Sequence, residues 1–122
     1  MIEITQRDIR QFQLAKAAIR TGIEILKKRL GVKDEDISEL YLAGAFGNYI
    51  HPENALAVGL IPKIPLERIK FVGNAASEGA KMALISQAER ERAEDISKKA
   101  EHVELATDPC FNEEFVKAMF FN

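Results

Sequence analysis

Several things are scarce in this chain, and each scarcity closes off a class of function. Its 122 residues include one cysteine, Cys110. A lone cysteine forms no internal disulfide framework and cannot supply the several thiolates of a zinc or iron–sulfur site. Such sparing use fits a reducing cytosol. The two histidines, His51 and His102, are too separated to suggest a metal site. Tryptophan is absent. No apolar run approaches the roughly 20 residues that a membrane-spanning helix needs. The opening Met1-Ile2-Glu3-Ile4 is not a signal peptide. Net charge is −2 and no basic stripe stands out, which argues against nucleic acid as a partner. With 47% hydrophobic and 30% charged residues, the composition is that of a soluble globular protein, one domain or part of a larger one.

What is present centres on Leu40-Tyr41-Leu42-Ala43-Gly44-Ala45-Phe46-Gly47-Asn48-Tyr49-Ile50. Tyr and Leu favour a short buried strand, which here runs into a glycine turn. A helix then opens at His51-Pro52-Glu53. Two readings of the turn stand side by side. It needs glycine only to turn, or it builds one of the ligand crevices found at the carboxyl ends of strands in open α/β sheets. The device recurs. Ile69-Lys70-Phe71-Val72-Gly73 reads as a second strand, and Gly73-Asn74-Ala75-Ala76 leads into a helix reaching about Ser86. Two such turns on neighbouring strands form one crevice, with backbone amides and a positive helix end suited to an anionic ligand. Neither turn is a P-loop or a full dinucleotide fingerprint.

The remainder supplies scaffold. Thr5 and Asp8 mark a helix start, and the helix runs to about Leu30, where Gly31 stops it. Its apolar lines, Phe12, Ala15, Ile19, Ile23, Leu26 and Leu30 with Leu14, Ala18 and Ile25, predict packing against a sheet. Gly22 reads as the close point of that contact, with Lys16, Arg20, Lys27 and Lys28 off the stripe. Asp34-Glu35-Asp36 reads as a solvated turn, and Asn48 or His51 as the cap of the helix at Pro52. Leu66-Glu67-Arg68 suits a single turn and Gln87 to Ala100 a solvated helix. His102-Val103-Glu104-Leu105 alternates as a strand does, and Asn112 suits the cap of a last helix bearing Phe115, Val116 and Met119. Phe111, Phe120 and Phe121 make an apolar end that must bury or meet another domain or subunit, a homo-oligomer included. Cys110 reads as an inert thiol, and no nucleophile–base pair, carboxylate pair or metal spacing emerges. No catalytic residue and no metal ligand is assigned.

Taken in order, Thr5-Gln6-Arg7-Asp8-Ile9-Arg10, Gln13 to Arg20 with Gly22-Ile23, Leu40 to Ile50, and Val72 to Ala76 with Gly79-Ala80 form a familiar series. It resembles the carboxyl-terminal ATPase domain of the reductive activators of corrinoid proteins, within the actin, sugar-kinase and heat-shock-chaperone superfamily. The likeness spans nearly the whole chain, 1–122, taken as one carboxyl-terminal lobe. The resemblance implies an α/β fold: a fragment of an actin-like, ribonuclease H-like lobe, with a short mixed sheet flanked by helices. It implies a cytoplasmic parent that uses ATP with magnesium to drive electrons from an iron–sulfur cluster to a Co(II) corrinoid in a partner protein. By resemblance, Gly44, Ala45, Phe46, Gly47 and Asn48 match the adenosine-binding turn, Gly73 and Asn74 lie beside it, and Lys16 and Arg20 are weaker candidates. The departures set the limits. The acidic Asp-x-Gly-Thr phosphate hairpins and the cluster-binding cysteines have no counterpart here. The cluster, the phosphate sites and the remaining domains therefore belong to the rest of the parent, and this chain alone is expected not to hydrolyse ATP. The alternatives are a stand-alone binding module and a lobe of another kinase of the superfamily.

Overall fold

The computed structural model describes residues 2–47 and 49–121, with Phe46 described by its backbone alone. The architecture is α/β: six helical segments and one pair of parallel strands among the described residues.

Helix α1 (Gln6–Leu30) begins where the sequence puts it. The Thr5 hydroxyl accepts from the Asp8 N–H at 3.2 Å, and the Asp8 carboxylate accepts from the Thr5 N–H at 2.9 Å. This reciprocal box satisfies two of the amide groups that a helix start leaves open. Gly31 closes the helix in the left-handed conformation. A 3-10 turn (Asp34–Asp36) leads to strand β1 (Leu40–Ala43). A single helical turn, α2 (Gly44–Gly47), and a short helix, α3 (Pro52–Ala57), follow. His51 is the N-cap of α3 but makes no side-chain capping bond; Asn48 lies outside the described residues. A 3-10 turn (Leu66–Arg68) enters strand β2 (Ile69–Gly73), then come α4 (Ala75–Ile85) and α5 (Gln87–Lys99). Another 3-10 turn (Leu105–Thr107) precedes α6 (Phe111–Ala118).

Two packing centres result. The first lies under the sheet, where Ala55, Ile61, Ile64 and Ile69 are buried and Leu40, Leu42, Ile50 and Leu60 close around them. The second is the seam between α1 and α6. Ala17, Thr21, Ile25 and Ala118 are buried there. Lys28 pairs with Glu114 at 2.8 Å, Arg29 with Asp108 at 3.0 Å, and the Gln13 amide donates to the Met119 carbonyl at 3.1 Å.

This seam corrects the reading of α1 as a sheet-packing helix. Its buried residues are Lys16, Ala17, Thr21 and Ile25, whereas Phe12, Ile19, Leu26 and Leu30 are exposed. The covered face is mixed: Ala17 and Ile25 are buried beside Lys16 and Thr21, and carboxylates and carbonyls from α6 and the residues after it meet Lys28, Gln13 and Lys16. Gly22 does mark a close approach, but to the 3-10 turn: a β-carbon there would stand 3.3 Å from Leu105 Cδ1. Two further expectations fail. Residues 102–104 form no strand; no neighbouring strand offers them a ladder, and the Glu104 carboxylate instead caps the following turn at the Ala106 N–H. The cap of α6 is Cys110 and not Asn112, and Asp108 fixes that entry by accepting from the Cys110 N–H at 3.0 Å. The predicted α5 stands, fully solvated and leaning on α4, which also buries no residue.

Candidate functional site

Parallel strands bring their carboxyl ends to one edge, and that fact builds the site. In register, Leu40 opposes Ile69, Tyr41 opposes Lys70 and Leu42 opposes Phe71. An irregularity after Leu42 then sets Ala43 against Gly73. The two glycine turns therefore leave the sheet side by side, as the double strand–turn–helix pattern predicts.

The glycines divide by cause. Gly44 has φ of 79° and Gly73 has φ of 60°, conformations that side chains with a β-carbon resist. Nothing lies within 4 Å of where a β-carbon would stand at either position. Both are glycine for the backbone, and both face open space that a ligand could approach. Gly47 differs. It is buried, and a β-carbon there would stand 3.0 Å from the Leu42 carbonyl oxygen and 3.5 Å from the Phe71 ring. Its lack of a side chain lets α2 fold back onto β1. Ala45 is exposed beside Gly44; the Phe46 side chain and Asn48 lie outside the described residues. Asn74 is partly committed already: its side-chain oxygen accepts from the Ser77 N–H at 3.1 Å and caps α4. That cap leaves the positive end of an eleven-residue helix next to Gly73.

Lys16 and Arg20 line cavities that neither Gly44 nor Gly73 lines. The Lys16 ammonium is 2% exposed as a residue, donates to the Phe120 carbonyl and lies 5.1 Å from the Phe121 ring centre. Burial, then the nearby Arg20 charge, pushes its pKa down. Arg20 pairs with Glu24 at 2.6 Å. Lys16 thus serves the seam with the chain's carboxyl end, while Arg20 joins the cluster around Asp34.

The sequence did not announce the polar cluster around Asp34. This aspartate pairs with Lys27, lies 3.8 Å from Arg20 and accepts from the Lys63 N–H at 3.1 Å. Burial raises its pKa, but Lys27, the Lys63 amide and Arg20 outweigh burial and hold the carboxyl below its ordinary value. It is a brace between α1 and the loop before β2, while Glu35 and Asp36 stay exposed as a solvated turn would have them. The cluster lines a cavity of about 360 Å³, with Gly59, Glu114 and Lys117 on its other side. A second cavity, an apolar groove of about 390 Å³, lies between α1 and residues 49–60. Neither is lined by Gly44 or Gly73. Among the described residues no three His, Cys, Asp or Glu side chains converge as metal ligands.

Comparison with known proteins matches residues 1–122 to the family described as the C-terminal domain of RACo, the ASKHA domain. The corrinoid activation enzyme RamQ of Eubacterium limosum is 45% identical over 98% of this chain. The [Co(II) methylated amine-specific corrinoid protein] reductase of Methanosarcina barkeri is 32% identical over 91% of it. A solved reductive activator for corrinoid, iron–sulfur protein superposes with a TM-score of 0.86 at 34% identity, over 97% of the chain. The chain spans 20%, 21% and 19% of these three proteins' own lengths.

Proposed function

The chain belongs to the family of the RACo C-terminal ASKHA domain, and from that premise we propose that it is the nucleoside-side lobe of an ATP-dependent reductive activator. In this reading the parent protein uses ATP to drive an electron from its iron–sulfur cluster to a Co(II) corrinoid held by a partner protein. The observation that carries the proposal is the paired edge: two positive-φ glycines at adjacent ends of parallel strands, each facing open space.

The residues present fit a nucleoside. Gly44, Ala45 and Gly47 line one wall, to which the resemblance adds Phe46 and Asn48, and Gly73 and Asn74 line the other. Gly44 and Gly73 admit the ligand close to the backbone. Gly47 keeps the first wall seated on β1. Asn74 caps α4, which starts directly after it next to Gly73. Bound ATP would supply the free energy that makes an uphill electron transfer possible. The phosphate and magnesium ligands are assigned to the parent, since acidic glycine-rich hairpins are missing from these 122 residues. The cluster is assigned there too: one cysteine cannot furnish its four thiolates. The domain assignment, 1–122 as a carboxyl-terminal lobe of a longer cytoplasmic protein, follows the same reading. For the described residues, no helix is long and apolar enough to cross a membrane.

The test uses the full-length protein, reduced at its cluster and mixed with a Co(II) corrinoid protein. Loss of the Co(II) absorbance should require ATP. Reduction at the same rate without nucleotide would refute the reading.

A further inference from the structure

We propose that the apolar stripe of α1, with the groove beside it, is the seat of a segment of the same polypeptide lying outside residues 1–122. This rests on the reading above that the lobe belongs to a longer activator. Phe12, Ile19 and Leu26 are 45%, 53% and 44% exposed. Yet they recur at helical spacing, the pattern of a face made for burial. α6 covers the other side of the helix; the Phe121 ring stacks on the stripe at Phe12, 6.1 Å away, and leaves Ile19 and Leu26 exposed. Beside it Phe12 and Ile19 face Tyr49, Ile50, Val58 and Leu60 across the 390 Å³ groove. Tyr49 is 84% exposed. An apolar surface of this continuity marks an interaction site.

The sheet makes the same demand independently. Parallel sheets are found with both faces covered, and two strands alone are too few for independent stability. Among the described residues β1 and β2 pair only with each other, and Tyr41, Phe71 and Val72 are left exposed. Both shortages call for more chain, and the relatives carry about four fifths of their length outside the matched region. A tethered segment acts at an effective concentration that a free second copy does not reach. The occupant is thus a helix or strand of the parent, presenting aliphatic or aromatic side chains to Ile19 and Tyr49.

Maleimide labelling of the full-length protein tests this, read on the peptide that carries the introduced cysteine. Ile19→Cys is compared with Lys33→Cys, whose lysine side chain is 78% exposed. The proposal predicts that position 19 reacts at least about tenfold more slowly than position 33, independent of protein concentration. Equal rates would overturn it, and so would protection that vanishes on dilution, which would make the occupant a second copy. Hydroxyl-radical footprinting of the unsubstituted protein at Phe12, Ile19 and Tyr49 gives the same reading if Ile19→Cys does not fold. A gene that encodes nothing beyond these 122 residues would instead defeat the activator reading on which the proposal stands.

Discussion

Gly44 and Gly47 are three residues apart in one motif, yet their substitution should fail in different ways. A valine at 47 must enter a space where its first carbon already meets the Leu42 carbonyl. The backbone cannot yield there as a side-chain tip could. Gly47→Val is expected to cost about 2–3 kcal/mol, read as a lower denaturant midpoint. Asp34 carries a prediction about pH. Its folded pKa lies below the ordinary carboxylate value, because Lys27, the Lys63 amide and Arg20 outweigh its burial. The stability it contributes is therefore complete above the unfolded pKa and is lost as pH falls through the folded one. Glu114 acts in the same direction: the Lys28 ammonium, first among its causes, lowers its pKa. Denaturation curves should show a loss of stability below about pH 4. Asp34→Asn should cost about 2 kcal/mol near neutrality and flatten that acid slope. An unchanged slope would remove Asp34 from its role as a brace.

At the scale of elements, α1 separates what a sequence can tell from what it cannot. Its start, length and stop were all legible, because Thr5, Asp8 and Gly31 act on their own backbone. Both strands and the turns at Gly44 and Gly73 were legible for the same reason: conformation there is decided by the residue itself. The partner of α1 was not legible. Apolar periodicity reports which face is made to be buried, not which neighbour within 122 residues does the burying. Here α6 and the two residues after it take a mixed face through Gln13, Lys16 and Lys28, contacts 86 to 106 residues apart in the chain. The strand expected at 102–105 fails for a related reason, since alternation without a partner makes no ladder. Gly22 offers a test of the corrected packing. Its neighbour is the tip of Leu105, a half-buried side chain free to shift by the few tenths of an ångström required. Gly22→Ala should then gain about 0.5–1 kcal/mol from helix propensity. A loss of stability would mean that Leu105 is held rigidly, as by a sheet-like wall.

In the proposed reading the whole molecule is the nucleoside side of a larger site. Among the described residues its sheet has two strands, and the apolar stripe of its longest helix is largely exposed. The crevice at the strand ends has backbone and shape but none of the acidic hairpins that would hold phosphate and magnesium. From this it follows that the 122-residue chain, expressed alone, shows no magnesium-dependent ATP hydrolysis above a blank in a phosphate-release assay. In the proposed reading Gly44 and Gly73 jointly admit a nucleoside at the paired strand ends. Equilibrium binding of labelled ATP to the full-length protein measures it most directly, in wild type, Gly44→Val and Gly73→Val, with thermal unfolding followed in each. The account predicts at least about tenfold weaker binding in both variants, a loss of about 1.4 kcal/mol or more, while a cooperative transition persists. Wild-type affinity in both would contradict it and put the nucleotide elsewhere.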